Sequence, residues 1–192
     1  MKYAVLITFT ILGLISCNTV ESNDPIPVIE TDTIPNIEID SLQFLTDQIN
    51  KNVENQHSWA SRAKYFMRQG NITDALTDME SAVKLDSNNT VYRNYLGDLQ
   101  ISTLDLDNAM INYEYTLSVD SSNAKAYVGI GHIYALVNNP GLATGFLNKA
   151  YQIDPYLSEA YFLEGLIYRS DFYETARDES WDRAISSFQT AV

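Results

Sequence analysis

The chain is poor in almost everything that builds a catalytic or metal centre. Its 192 residues include one cysteine, Cys17, and two histidines, His57 and His132, which stand 75 positions apart. A lone thiol forms no intramolecular disulfide, and two distant imidazoles without cysteine or paired carboxylates at ligand spacing offer no metal set. Glycine-rich phosphate loops are missing, and no Ser, His and Asp arrangement is suggested by spacing. No catalytic residue, metal or cofactor is therefore expected. Bases are scarce too: 12 Lys and Arg against 25 Asp and Glu give a formal charge of −13. That balance repels phosphate backbones, so nucleic acid is not an expected partner. Long apolar runs are also lacking. Ala4 to Ile15 is twelve uncharged residues, where a bilayer core needs about 20 in a helix.

What is present begins with that short run. Lys2 precedes it and Leu14-Ile15-Ser16-Cys17 closes it, the order of a removable export signal rather than of a membrane span. The tetrapeptide resembles the lipobox of bacterial lipoproteins: an apolar residue at minus three, a small one at minus one, then cysteine. The resemblance implies a signal over 1–16, cut before Cys17, and a diacylglycerol on that thiol. Several acyl chains, each buried methylene contributing about 0.8 kcal/mol, would hold the mature protein on a membrane stably. Residues 17–40 then read as a tether. Pro25, Pro27 and Pro35 interrupt it, and its six acidic residues have no base among them, which favours an extended, self-repelling chain. Asp32-Thr33-Ile34 and Asp40-Ser41-Leu42 resemble O-glycosylation sites of exported Bacteroides-group proteins, which implies an outer-membrane lipoprotein of the Bacteroidetes type.

Beyond the tether the chain repeats. Ala75, Ala109 and Ala143 are 34 residues apart, and Ala82, Thr116 and Ala150 follow each by seven. Small residues at such intervals mark places where helices approach closely, and a 34-residue period of two short amphipathic helices marks a solenoid. Units fit 56–89, 90–123 and 124–157 without gaps. In the third, Tyr127, Ile130, Gly131, Tyr134, Ala143, Leu147, Ala150 and Pro155 occupy a pattern that resembles the tetratricopeptide repeat. The expected fold is all-α, a right-handed solenoid of helix-turn-helix repeats. Leu42, Leu45 and Ile49 share one helical face, so 41–55 reads as an N-terminal cap. Residues 158–192 read as a fourth unit. Gly165 to Ala184 spans 19 positions where the other units have 12, so about seven residues are inserted, as longer helices or as an excursion exposing Phe172, Tyr173 and Trp181. The chain stops at Val192 inside the last expected helix, so a longer repeat protein is expected.

In this family the first helix of each unit lines a concave groove. Carried over position by position, the resemblance places His57, Lys64, Met67 and Arg68, then Asn94 and Asp98, then Lys125, Val128, His132 and Leu136, and finally Phe162 and Arg169 on that surface. The groove is expected to be more basic than the rest of the chain through Lys64, Arg68, Lys125 and Arg169. The implied function is a membrane-anchored scaffold that binds a peptide or protein, acidic groups meeting the bases and apolar ones meeting Val128, Leu136 and Phe162. Two alternatives stand beside it: a glycan-binding or nutrient-uptake lipoprotein, and the docking module of an enzyme continuing past residue 192. Asp74 and Asp78, one helical turn apart, read as a solvated acidic face.

Overall fold

The structure, a computed structural model, describes residues 37–175 and 178–192. The segment read as an export signal, Cys17 and the stretch read as tether up to residue 36 lie outside the described residues, as does the side chain of Phe172. Nine helices and no strand are found among the described residues. They are α1 (Ile37–Lys51), α2 (Gln56–Arg68), α3 (Ile72–Leu85), α4 (Thr90–Ser102), α5 (Leu106–Val119), α6 (Ala124–Leu136), α7 (Pro140–Ile153), α8 (Ser158–Thr175) and α9 (Asp178–Thr190). The first helices of the four units begin at Gln56, Thr90, Ala124 and Ser158, a 34-residue step each time. The chain is an all-α helical-repeat solenoid. One boundary moves: α1 begins four residues inside the stretch read as tether, so Asp40-Ser41-Leu42 is helical.

The period is written in burial. Ala75, Ala109 and Ala143 are fully buried, as are Ala82, Thr116 and Ala150. Each small side chain lets a neighbouring helix close in, and larger residues such as Met79, Tyr113 and Leu147 fill the space between. Each helix packs on its successor, while α4 touches α6 and α6 touches α8. Those latter contacts make the first helices of units two to four one continuous wall.

The turns are equally periodic. Asn55, Asn71, Asn89, Asn123 and Asn139 cap the helices that follow them, each side-chain oxygen accepting a backbone N–H of the first turn. Within units one to three the first helix ends in the same way. The N–H of Asn71, Asp105 and Asn139 donates back to the carbonyl of Phe66, Gln100 and Tyr134, at 2.9, 2.8 and 2.8 Å. This closure places the preceding residue in the left-handed region, with φ of 72° at Gly70, 61° at Leu104 and 55° at Asn138. Glycine and asparagine suit that conformation; leucine does not. Leu104 is 72% exposed, so little burial offsets its strain. Leu104→Gly is expected to raise stability by about 0.5–1 kcal/mol. A thermal melt with an unchanged or lower midpoint would contradict this.

The insertion in the fourth unit is absorbed by helix rather than by a loop. α8 runs 18 residues where α2, α4 and α6 run 13, and α9 starts earlier relative to its buried Ala184 than α3, α5 and α7 do relative to theirs. Ser187 Oγ donates to Glu164 Oε2 at 2.9 Å, and Ser180 Oγ to Asp171, tying the two long helices together. Tyr173 and Trp181 are exposed at this edge.

Candidate functional site

The wall formed by α4, α6 and α8 faces a groove of about 710 Å³, closed at one side by Phe188, Ala191 and Val192. The groove's sides are Ile101 from α4, Val128 from α6, and Phe162, Leu163 and Leu166 from α8. A second cavity of about 430 Å³ lies against α4 and the turns before α6 and α8, and the two share Asp98 and Lys125. Phe162 stays 54% exposed with its ring 5.8 Å from that of Phe188. Apolar surface is thus presented inward, where a ligand rather than another helix would cover it.

At the junction of the cavities a carboxylate is held in a fixed position. Tyr113 projects from α5 between α4 and α6, and its hydroxyl donates to Asp98 Oδ1 at 2.6 Å. Its ring fills the space that side chains at Gly97 and Gly129 would occupy. A Cβ on Gly97 would lie 2.6 Å from the ring, and one on Gly129 closer still. Two mid-helix glycines, each costing about 1 kcal/mol relative to alanine, therefore make the slot through which a core tyrosine reaches the groove. Burial pushes the Tyr113 hydroxyl well above its ordinary range, and the charge on Asp98 adds to this. Asp98 is open to the groove along one side, yet the walls around it exclude enough water to raise its carboxyl, against the lowering pull of Tyr113 and Lys125. Burial lowers His132, with Asp98 opposing, so its imidazole is neutral at pH 7.

The residues expected at the groove divide between two fates. Asp98, Lys125, Val128, His132 and Phe162 line the larger groove, and Leu136 lines a smaller cavity that shares His132 and Leu166 with it. Asn94 borders the second cavity but is buried, with its amide donating to Asn123 Oδ1 at 2.9 Å. The unit-one residues have other work. Met67 packs against the first core cluster, His57 bonds the hydroxyl of Tyr92, and Lys64 sits 4.5 Å over the ring of Tyr95. Arg68 and Arg169 are exposed outside the groove. Nor is Lys125 an unengaged base: its Nζ donates to Glu159 Oε1 at 3.1 Å, the hydrogen bond that does most to raise its pKa. The groove is therefore not a basic stripe. Tyr113 and Gly129 were not picked out as groove residues. The signal for them was Gly129 itself, a mid-helix glycine at a place where the repeat does not require one.

Helix pairs at a 34-residue step, alanines at each close contact and a concave wall of first helices together define a tetratricopeptide-type solenoid. Solved structures agree on that fold. A crystal structure of MamA aligns with a TM-score of 0.62 at 19% identity, over 80% of this chain and 86% of that one. TTC0263, a thermophilic TPR protein of Thermus thermophilus, aligns at 0.66 and 15% identity, over 80% and 81%. YrrB, described as a TPR protein with an unusual peptide-binding site, aligns at 0.55 and 20% identity, over 78% and 74%. No protein-family model and no curated protein matches the sequence. Among the described residues no helix is long and apolar enough to cross a membrane.

Proposed function

We propose that the chain is an interaction scaffold that receives a peptide or protein segment in the groove of α4, α6 and α8, and that Cys17 anchors it to a membrane of the bacterial envelope. The observation that carries the first part is the lining: Val128, Phe162 and Leu166 present apolar surface in a concave site continuous over three units. The peptide-binding site named for YrrB is consistent with this use of the fold. The anchor rests on the order of Lys2, the apolar run and Leu14-Ile15-Ser16-Cys17. It gives the groove a fixed location.

Two substitutions and one control test the parts separately. Phe162→Glu in the full chain is expected to abolish partner capture, whereas Leu142→Glu, at a comparably exposed position on α7, is expected to leave it intact. Equal capture by both variants would remove the groove from the reading. Cys17→Ser is expected to release the chain from the membrane fraction and to end incorporation of a palmitate label. Retention of both in the variant would remove the anchor.

A further inference from the structure

The groove's charge points to the chemistry of its occupant, and this inference rests on the scaffold reading above. Around the junction of the two cavities stand Asp98, Asp120, Asp154 and Glu159, with Lys125 as the base among the lining residues. Most of these charges are spoken for. Lys125 is bonded to Glu159, Asp120 accepts from the backbone N–H and hydroxyl of Ser122, and Asp154 accepts from the N–H of Tyr156. Asp98 is left over. Tyr113 holds its Oδ1, while its Oδ2 has no hydrogen-bond donor among the described residues. Neutral His132 does not balance it, and Lys125, whose charge reaches Asp98, is bonded to Glu159. A second unmet acceptor lies beside it: Asn94, 7% exposed at the wall of the adjoining cavity, has no donor for Oδ1. Val128, Phe162 and Leu166 line the same groove with hydrocarbon. A positioned carboxylate in a partly dry, apolar groove is complementary to a cation carried on an apolar segment.

We propose that the groove binds a peptide segment in which an arginine or lysine is flanked by apolar side chains, its cation meeting Asp98 and its neighbours meeting Val128, Phe162 and Leu166. This reverses the sign of partner expected from the sequence, because the bases that suggested an acidic ligand are stacked, paired or outside the groove. The overall charge of −13 favours approach of the same class of ligand.

A carboxyl whose pKa is raised by folding drains stability as pH climbs from the unfolded carboxylate range through the raised value. Asp98 is open to solvent on its groove side, so this cost at neutral pH is small. Asp98→Asn keeps an acceptor for Tyr113, is expected to melt no lower than the parent, and so separates binding from folding.

The test is a random peptide library displayed on phage, selected on the detergent-solubilised full chain and in parallel on Asp98→Asn and Phe162→Glu. Selected peptides are expected to carry Arg or Lys between apolar residues. Replacing that arginine by neutral citrulline is expected to weaken binding about tenfold to the parent chain, and by under twofold to Asp98→Asn. Peptides lost with Phe162→Glu but showing no basic bias, or an acidic one, would overturn the cation site and leave the groove reading standing. No enrichment over bare matrix by the folded chain, or enrichment indifferent to Phe162→Glu, would overturn both.

Discussion

Gly129→Ala is expected to destabilise the chain by about 2–3 kcal/mol, although alanine is the better helix former. The added methyl has no room, because the ring of Tyr113 occupies its place. A flexible side chain would swing aside, but this ring is fully buried, bounded on its other face by Gly97, and tied at its hydroxyl to Asp98. Gly145 supplies the control. It also lies mid-helix, in α7, but a Cβ there meets nothing within 4 Å, so Gly145→Ala is expected to stabilise by about 0.5–1 kcal/mol. Denaturant unfolding of the two variants should give opposite signs. The cause can be isolated further, since unit three has Leu147 where unit two has Tyr113. Tyr113→Leu in the Gly129→Ala background is expected to recover part of the loss, a coupling that independent sites do not show. Strict additivity would mean that the ring is not what excludes the methyl.

Arg62→Met is expected to cost about 3 kcal/mol, through the carboxylate it leaves behind. Asp78 on α3 has a side chain only 4% exposed, and Arg62 on α2 grips it with two hydrogen bonds of 2.7 and 2.9 Å. A third guanidinium donor reaches Thr46 Oγ1 on α1 at 3.2 Å, and the group lies 5.3 Å from the Trp59 ring. One side chain therefore joins three helices at the start of the solenoid. The hydrogen bond to Asp78 raises the Arg62 pKa, burial opposing, so the guanidinium stays charged. Removing the arginine strands a buried anion. Replacing both partners, as Arg62→Met with Asp78→Leu, removes the anion as well and is expected to recover most of the loss. If Arg62→Met alone unfolds with the parent's midpoint, the pair is not what secures the cap to the repeats.

The repeat was legible because close helix contacts constrain residue size at fixed intervals. Ala75, Ala109 and Ala143 announced a backbone approach whatever stood around them. The stretched fourth unit was visible as the long interval from Gly165 to Ala184. Whether helix or loop takes up its excess was not legible, because α8 carries no turn signal that would decide between them. Charge pairing was harder to see. Asp74 and Asp78 looked like one solvated face because they are four residues apart on one helix, yet the partner that matters to Asp78 is Arg62 across the hairpin. Lys125 and Glu159 are 34 residues apart and stand at the same place in adjacent units, which makes them neighbours in a solenoid. Taken one helix at a time, such bases look unengaged. Asp98 gained its importance from Tyr113, a residue whose sequence position marks it as core and whose hydroxyl nevertheless reaches the groove.

The groove itself is open to one direct measurement. A photo-crosslinking amino acid is placed at Val128, inside the wall of α4, α6 and α8, or at Glu114, an exposed position on α5 outside it, in the full chain within cells that produce it. Illumination is expected to give a discrete adduct from Val128, lost on adding Phe162→Glu, and none from Glu114. An adduct from Glu114 with none from Val128 would place the partner elsewhere on the solenoid and contradict the groove as its binding surface.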